Sequence, residues 1–295
     1  SRLAPHLEPG CTIVGLPGQS AFEIDVNQAL GSKLQQCVVI NLETFPWICQ
    51  TLKFGQQVAI SGIKRKLEGT LQGDLTQARL VDPVATLQSL LGDLSIVIAG
   101  DLCWVSISAS VHPVLMYRYW RNWDGQPLPE PPPLYREVDA ETGELIDRMN
   151  AEILATHQQL VIQYPEIHFS PVLPPETVLG SYYGEEIGDR TNITTLLRTN
   201  PGYRNLLYPM IQTDGGYLPD FNSRLLTEDI PFGLVIMRGA AEVAGIKTPV
   251  MDEVLSWCQE KIGKEYLVDS RFVGKDLKST RCTHQYGFKD LLEIP

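Results

Sequence analysis

Five histidines in this 295-residue chain can exchange a proton near neutrality, and His112 stands apart by its setting. It directly follows the last strand-like run of the first half. It opens the segment HPVLMYRYW, and residues 124–134 (DGQPLPEPPPL) then form a stiff, extended connector. A histidine at such a junction borders the kind of cleft in which ligands bind. Pro113 biases residue 112 toward an extended backbone, which would aim the imidazole. His112 is therefore read as an acid/base group for a carbonyl or hydroxyl substrate, against the plainer reading of a structural histidine. His6, His157, His168 and His284 read as surface or packing residues.

A partner for His112 comes from the stretch RLLTEDIP, residues 224–231. Asp229 has an ordinary explanation as a first-turn carboxylate favoured by a helix dipole. Its functional reading is an acceptor that fixes the His112 tautomer and stabilises the imidazolium. Arg224 is a fixed cation nearby, able to clamp a carboxylate or phosphate through two hydrogen bonds. Its plainer role is a surface pair with Glu228. Gln19, Thr44 and Cys49 each follow a buried-strand pattern, at the carboxyl ends where open α/β sheets bind ligands. An amide, a hydroxyl and a thiol there suit a small keto acid. Trp47, Met116, Tyr117 and Trp120 supply apolar walls.

The elements needed to position these groups are legible as alternating patterns. Cys11–Leu16, Cys37–Leu42 and Leu94–Ala99 read as buried strands, and Phe22–Leu30 and Pro83–Leu91 as helices closed by Gly31 and Gly92. Gln57–Lys64 and Leu67–Gln72 alternate, and the Lys64-Arg65-Lys66 turn between them predicts a hairpin with a solvated basic tip. After residue 110 the strand signal fades. Asp139–Tyr164 has apolar residues about four apart, Phe232–Ala244 ends at Gly245, and Thr248-Pro249 starts a last helix. Strand–helix alternation followed by helices predicts an α/β domain over 1–108 and an all-α domain over 109–295. The chain opens on a strand already in mid-sheet, so further sheet strands are expected upstream.

Composition narrows the function. With 43% hydrophobic residues the chain can bury two ordinary cores. A net charge of −11 repels phosphate backbones and argues against nucleic acid. The six cysteines form no Cys-x-x-Cys pair, which argues against a metal site and fits a reducing, cytoplasmic setting. The longest apolar run, Leu94–Val111, is broken by Asp101, so no membrane span is expected. No apolar helix face is left over, which makes a monomer the default.

These segments resemble the opine dehydrogenase family, its octopine-forming branch above all. The resemblance is carried by GLPGQSAFE (15–23), NLETFPWICQ (41–50), FGQQVAISGIK (54–64), HPVLMYRYWRNWDGQPLPEPPPLY (112–135), RLLTEDIPFGLV (224–235), VAGIKTPVMDEVL (243–255) and TRCTHQYGFKDLLEI (280–294). It implies a Rossmann-type NAD-binding domain, with its N-terminal part missing, followed by an all-α opine dehydrogenase domain. It implies NADH-dependent, reversible condensation of an amino acid, arginine favoured, with pyruvate. His112 and Asp229 would be the catalytic pair and Arg224 would meet the cofactor pyrophosphate. Gln19, Thr44 and Cys49 would surround the keto acid, and Met116 would belong to the amino-acid pocket. Two departures stand out. The chain has no Gly-x-Gly-x-x-Gly turn for the dinucleotide phosphates, and Ala109 stands where the family pattern leads one to expect asparagine. Two other readings follow from the same residues: a non-catalytic ligand-binding relative without a cofactor loop, and a 2-hydroxy-acid dehydrogenase of similar plan.

Overall fold

The computed structural model describes residues 3–282; His284 and the end of the 280–294 segment lie outside them. The first half comprises β1 (Thr12–Gly15), α1 (Phe22–Leu30), β2 (Val38–Leu42), β3 (Trp47–Lys53), β4 (Gln57–Ile63), β5 (Lys66–Gln72), α2 (Pro83–Leu91) and β6 (Ser95–Ile98). β1, β2, β5 and β6 form one mixed sheet in that order, with β1–β2 and β5–β6 parallel and β2–β5 antiparallel. β2 is buried along its whole length, and its one polar residue, Asn41, is hydrogen-bonded to Gly18, Gln19 and Glu23. β1 is only partly covered, and Val14 is exposed, because β1 is an edge strand among those described.

The expected hairpin through the basic turn does not form. β4 pairs instead with β3 in a separate two-stranded ribbon turned at Gly55, and β5 joins the main sheet. The turn at 64–66 is the crossing between the two sheets. Nor is it a solvated tip: Arg65 is exposed, but Lys64 is 6% exposed.

The second half packs α3 (Ile107–Trp120), α4 (Ala140–Gln163), α5 (Pro175–Tyr183), α6 (Ile193–Thr199), α7 (Arg224–Thr227), α8 (Val235–Ala244) and α9 (Pro249–Lys261) around one extensive apolar core. The Asp139 side chain caps α4 by accepting from the Thr142 N–H at 2.8 Å. The helical half also holds a short hairpin, β7 (Met210–Thr213) and β8 (Gly216–Pro219). Its Asp214-Gly215 turn was the available signal. A wide π turn over Ile230–Leu234 leads into α8. Among the described residues no helix is long and apolar enough to cross a membrane.

Candidate active site

His112 sits inside α3, not in extended backbone. The bias of a residue before proline is overruled by the burial of Val111, Val114, Leu115 and Met116 on the same helix. Pro113 has no N–H to give the Ala109 carbonyl, so the helix forgoes one bond there. Asp229 stands at the entry to the π turn, where the Leu234 N–H reaches back five residues to the Asp229 carbonyl at 2.8 Å. Pro231 lacks the N–H that an α-turn would use at this point, and widened turns of this kind recur at functional sites. Gly233, one turn after Asp229, meets Ala109, one turn before His112. A methyl group placed on Gly233 would come within 2.1 Å of the Ala109 Cβ. The absence of that methyl lets the two backbones approach and brings the two side chains together.

The His112 Nδ1 lies 2.7 Å from an Asp229 carboxylate oxygen, across 117 residues of sequence. Both side chains are largely buried, at 13% and 5% exposure. A carboxylate only accepts, so Nδ1 carries the proton and donates. The other ring nitrogen, Nε2, lies 2.7 Å from the Tyr135 hydroxyl. Burial holds the Tyr135 phenol well above its ordinary range, so it stays protonated and donates to Nε2.

The sequence-selected neighbours are placed unequally. Gln19 adopts a left-handed backbone (φ 68°), and its side-chain oxygen accepts from the Ser106 hydroxyl at 3.0 Å, just before α3. Its turn is held by Asn41 on β2, which accepts from the Gly18 N–H at 3.1 Å and donates to the Gln19 carbonyl at 3.3 Å. Arg281 also donates to the Gly18 carbonyl at 2.5 Å and lies over the Phe232 ring, three residues from Asp229. The sheet turn and the π turn are thus tied together. Met116 departs from expectation: it is fully buried in the core and offers no surface to a substrate in this conformation. Cys49 lies exposed on the β3 ribbon.

Thr44 leads to a group the sequence reading missed. The Lys64 ammonium donates to the Thr44 hydroxyl at 3.2 Å and to the Phe45 carbonyl at 2.6 Å, and lies over the Tyr182 ring. Burial pushes Lys64 down to about 8, although the neighbouring Glu43 opposes the shift. Burial likewise pushes Glu43 up to about 7. Three basic residues in a row concealed that their exposures differ.

Arg224 also lies against this segment, its guanidinium 5.8 Å from the Phe45 ring centre. The ion pair with Glu228 does not form, and no salt bridge engages Arg224 among the described residues. A guanidinium without a carboxylate is a fitting group for a cofactor phosphate. Phosphate contacts of the Gly-x-Gly-x-x-Gly kind come from no residue of this chain.

A mixed sheet joined to a helical half, with a buried His–Asp pair on the helical side, matches NAD-dependent oxidoreductases that act on CH–NH groups, and the comparisons give that class. Residues 102–262 match the family described as NAD/NADP octopine/nopaline dehydrogenase, alpha-helical domain. The chain is 36% identical to a tauropine dehydrogenase of Arabella iricolor, covering 100% of this chain and 75% of the relative. It is 37% identical to an opine dehydrogenase of Haliotis discus hannai (98% and 72% covered) and 36% identical to an octopine dehydrogenase of Pecten maximus (98% and 73%). A solved octopine dehydrogenase with NADH and L-arginine superposes with a TM-score of 0.82 at 35% identity, over 97% of this chain and 71% of that one. This chain belongs to the opine dehydrogenase family and is an NAD-dependent oxidoreductase.

Proposed function

We propose that the enzyme condenses pyruvate with an amino acid, arginine favoured, and reduces the product to an opine, with His112 as the acid/base and Asp229 as its positioning partner. The observation that carries this reading is the 2.7 Å contact between two groups 117 residues apart, both largely withdrawn from water. Support for the substrates comes from relatives: octopine dehydrogenase has been solved with NADH and L-arginine, and with NADH and pyruvate. A tauropine dehydrogenase is equally similar, which makes taurine the competing amine.

The chemistry divides cleanly. The amine attacks the keto carbon and water leaves, giving an imine. NADH, when bound, supplies the hydride for the imine carbon. His112 exchanges a proton at Nε2, since Nδ1 is committed to Asp229. Asp229 compensates the charge when the ring is doubly protonated, and holds the tautomer when it is not. Arg224, which has no salt-bridge partner among the described residues, takes a cofactor phosphate. Gln19 and Thr44 present an amide and a hydroxyl to the keto acid. Cys49 adds an exposed thiol near Lys64, and Met116, buried in this conformation, reaches substrate only if the cleft rearranges. Cover by the helical half excludes water that would hydrolyse the imine. The enzyme acts as a monomer in the cytoplasm on this reading.

The test is NADH oxidation with pyruvate offered alongside arginine, taurine, alanine, glycine and β-alanine in turn. Arginine should give the highest kcat/KM, and oxidation with pyruvate alone would sink the opine reading in favour of a 2-hydroxy-acid dehydrogenase. His112→Ala should lower the rate about 10²-fold or more with NADH binding intact. Unchanged turnover would remove His112 from the mechanism.

A further inference from the structure

Both ring nitrogens of His112 are occupied. Nδ1 donates to Asp229 and Nε2 accepts from Tyr135, each at 2.7 Å. The imidazole is 13% exposed, and in this conformation the acceptor position of Nε2 is taken by the Tyr135 hydroxyl. We propose that Tyr135 is a placeholder on the proton-transfer nitrogen: its hydroxyl fills the position that the reacting atom of the keto acid or opine takes, and substrate binding displaces it. This rests on His112 being the acid/base.

Three features of the structure distinguish a placeholder from a proton relay. A relay needs a hydrogen-bond partner on each side, and among the described residues His112 is the one partner of the Tyr135 hydroxyl. Burial keeps the phenol protonated, so it does not serve as a base in its own right. The ring stacks on Tyr203, with centres 4.3 Å apart and planes 20° apart. The stack holds the ring by its apolar face and does not engage the hydroxyl, whose hydrogen-bond partner among the described residues is His112. The backbone beside Tyr135, in contrast, is pinned: the Leu134 N–H donates to the Leu206 carbonyl and the Tyr208 N–H to the Pro132 carbonyl, both at 2.9 Å. Displacement is therefore a side-chain movement, with the connector staying in place.

The arrangement has a use. While the site is empty, the hydroxyl holds Nε2 as an acceptor and keeps the imidazole oriented and shielded. Substrate must then compete with one neutral hydrogen bond, which is worth about 0.5–1.5 kcal/mol net. Removing the hydroxyl should strengthen substrate binding by the corresponding factor, about 2- to 12-fold.

The experiment is steady-state kinetics on Tyr135→Phe, which keeps the ring and its stacking. With saturating NADH and amino acid, KM for pyruvate should fall about 2- to 12-fold while kcat stays within about twofold. A KM that is unchanged or raised overturns the placeholder. A kcat loss of about tenfold or more also overturns it, since that is the outcome for a relay. A crystal structure of the wild-type enzyme with NADH and pyruvate tests the same point without a variant: the Tyr135 hydroxyl should lie beyond about 3.5 Å of Nε2, and a retained contact refutes displacement. The two readings fail separately. An active His112→Ala enzyme sinks the acid/base assignment, whereas an inactive one beside an unaltered Tyr135→Phe sinks the placeholder alone.

Discussion

Gly233→Ala tests whether the Ala109–Gly233 contact sets the geometry of the His–Asp pair. The new methyl would lie 2.1 Å from the Ala109 Cβ, where ordinary carbon contacts are about 3.5–4.0 Å. Relief requires α3 and the π turn to part by roughly 1.5 Å. Ala109 is one turn from His112 and Gly233 one turn from Asp229, so the separation acts on the pair with little leverage lost. A 2.7 Å bond stretched by that amount passes out of hydrogen-bond range. Overpacking of this kind costs about 1–3 kcal/mol of stability, and misplacing a catalytic group by about 1 Å costs on the order of 10²-fold in rate. The expected result is a roughly 10- to 100-fold loss of kcat, with unfolding at lower urea. Ala109→Gly in the same chain removes the opposing methyl. The next Ala109 atom, its Cα, is 3.6 Å away, which is an ordinary contact. The double variant should recover most of the activity, even though Ala109→Gly alone costs about 1 kcal/mol in a helix. Urea titrations and NADH-oxidation kinetics on the four proteins complete a double-mutant cycle, with a coupling energy of at least about 1 kcal/mol expected. Wild-type behaviour of Gly233→Ala, or losses that Ala109→Gly does not relieve, would refute the reasoning.

Arg224→Met should weaken NADH binding about tenfold or more by calorimetric titration, the scale of one charge-assisted contact; undiminished affinity would place Arg224 outside the cofactor site. Glu43 gives a pH signature. Its folded-state value of about 7 lies above the ordinary 4.5, so between those values the folded protein holds a proton that the unfolded chain has lost. Stability contributed by this group therefore falls as pH rises from about 4.5 to 7. Glu43→Gln should remove on the order of 1–3 kcal/mol of that slope in urea titrations at the two ends of the window; identical slopes would show that Glu43 ionises as an exposed carboxylate does.

Local sequence determined what depends on local physics. Phe22–Leu30, Pro83–Leu91 and the long helix after Asp139 were readable from apolar period and cap residues, because a helix closes its hydrogen bonds within itself. The largely apolar run of β2 likewise announced a strand covered on both faces. His112 and Asp229 were singled out by type and setting. Strand pairing was not readable: β4 and β5 are adjacent in sequence and look like partners, yet join different sheets, since a ladder is chosen by what its faces pack against. The helical backbone at His112 went against the local signal of Pro113, because burying the apolar residues of α3 outweighs a pre-proline bias. Tertiary structure alone showed that Lys64 is buried while Arg65 is exposed, that Met116 is sealed in the core, and that Tyr135 covers the second nitrogen of His112. Residue type sets what a side chain can do chemically, but which atom it meets depends on backbones that are far apart in the chain and close only after folding.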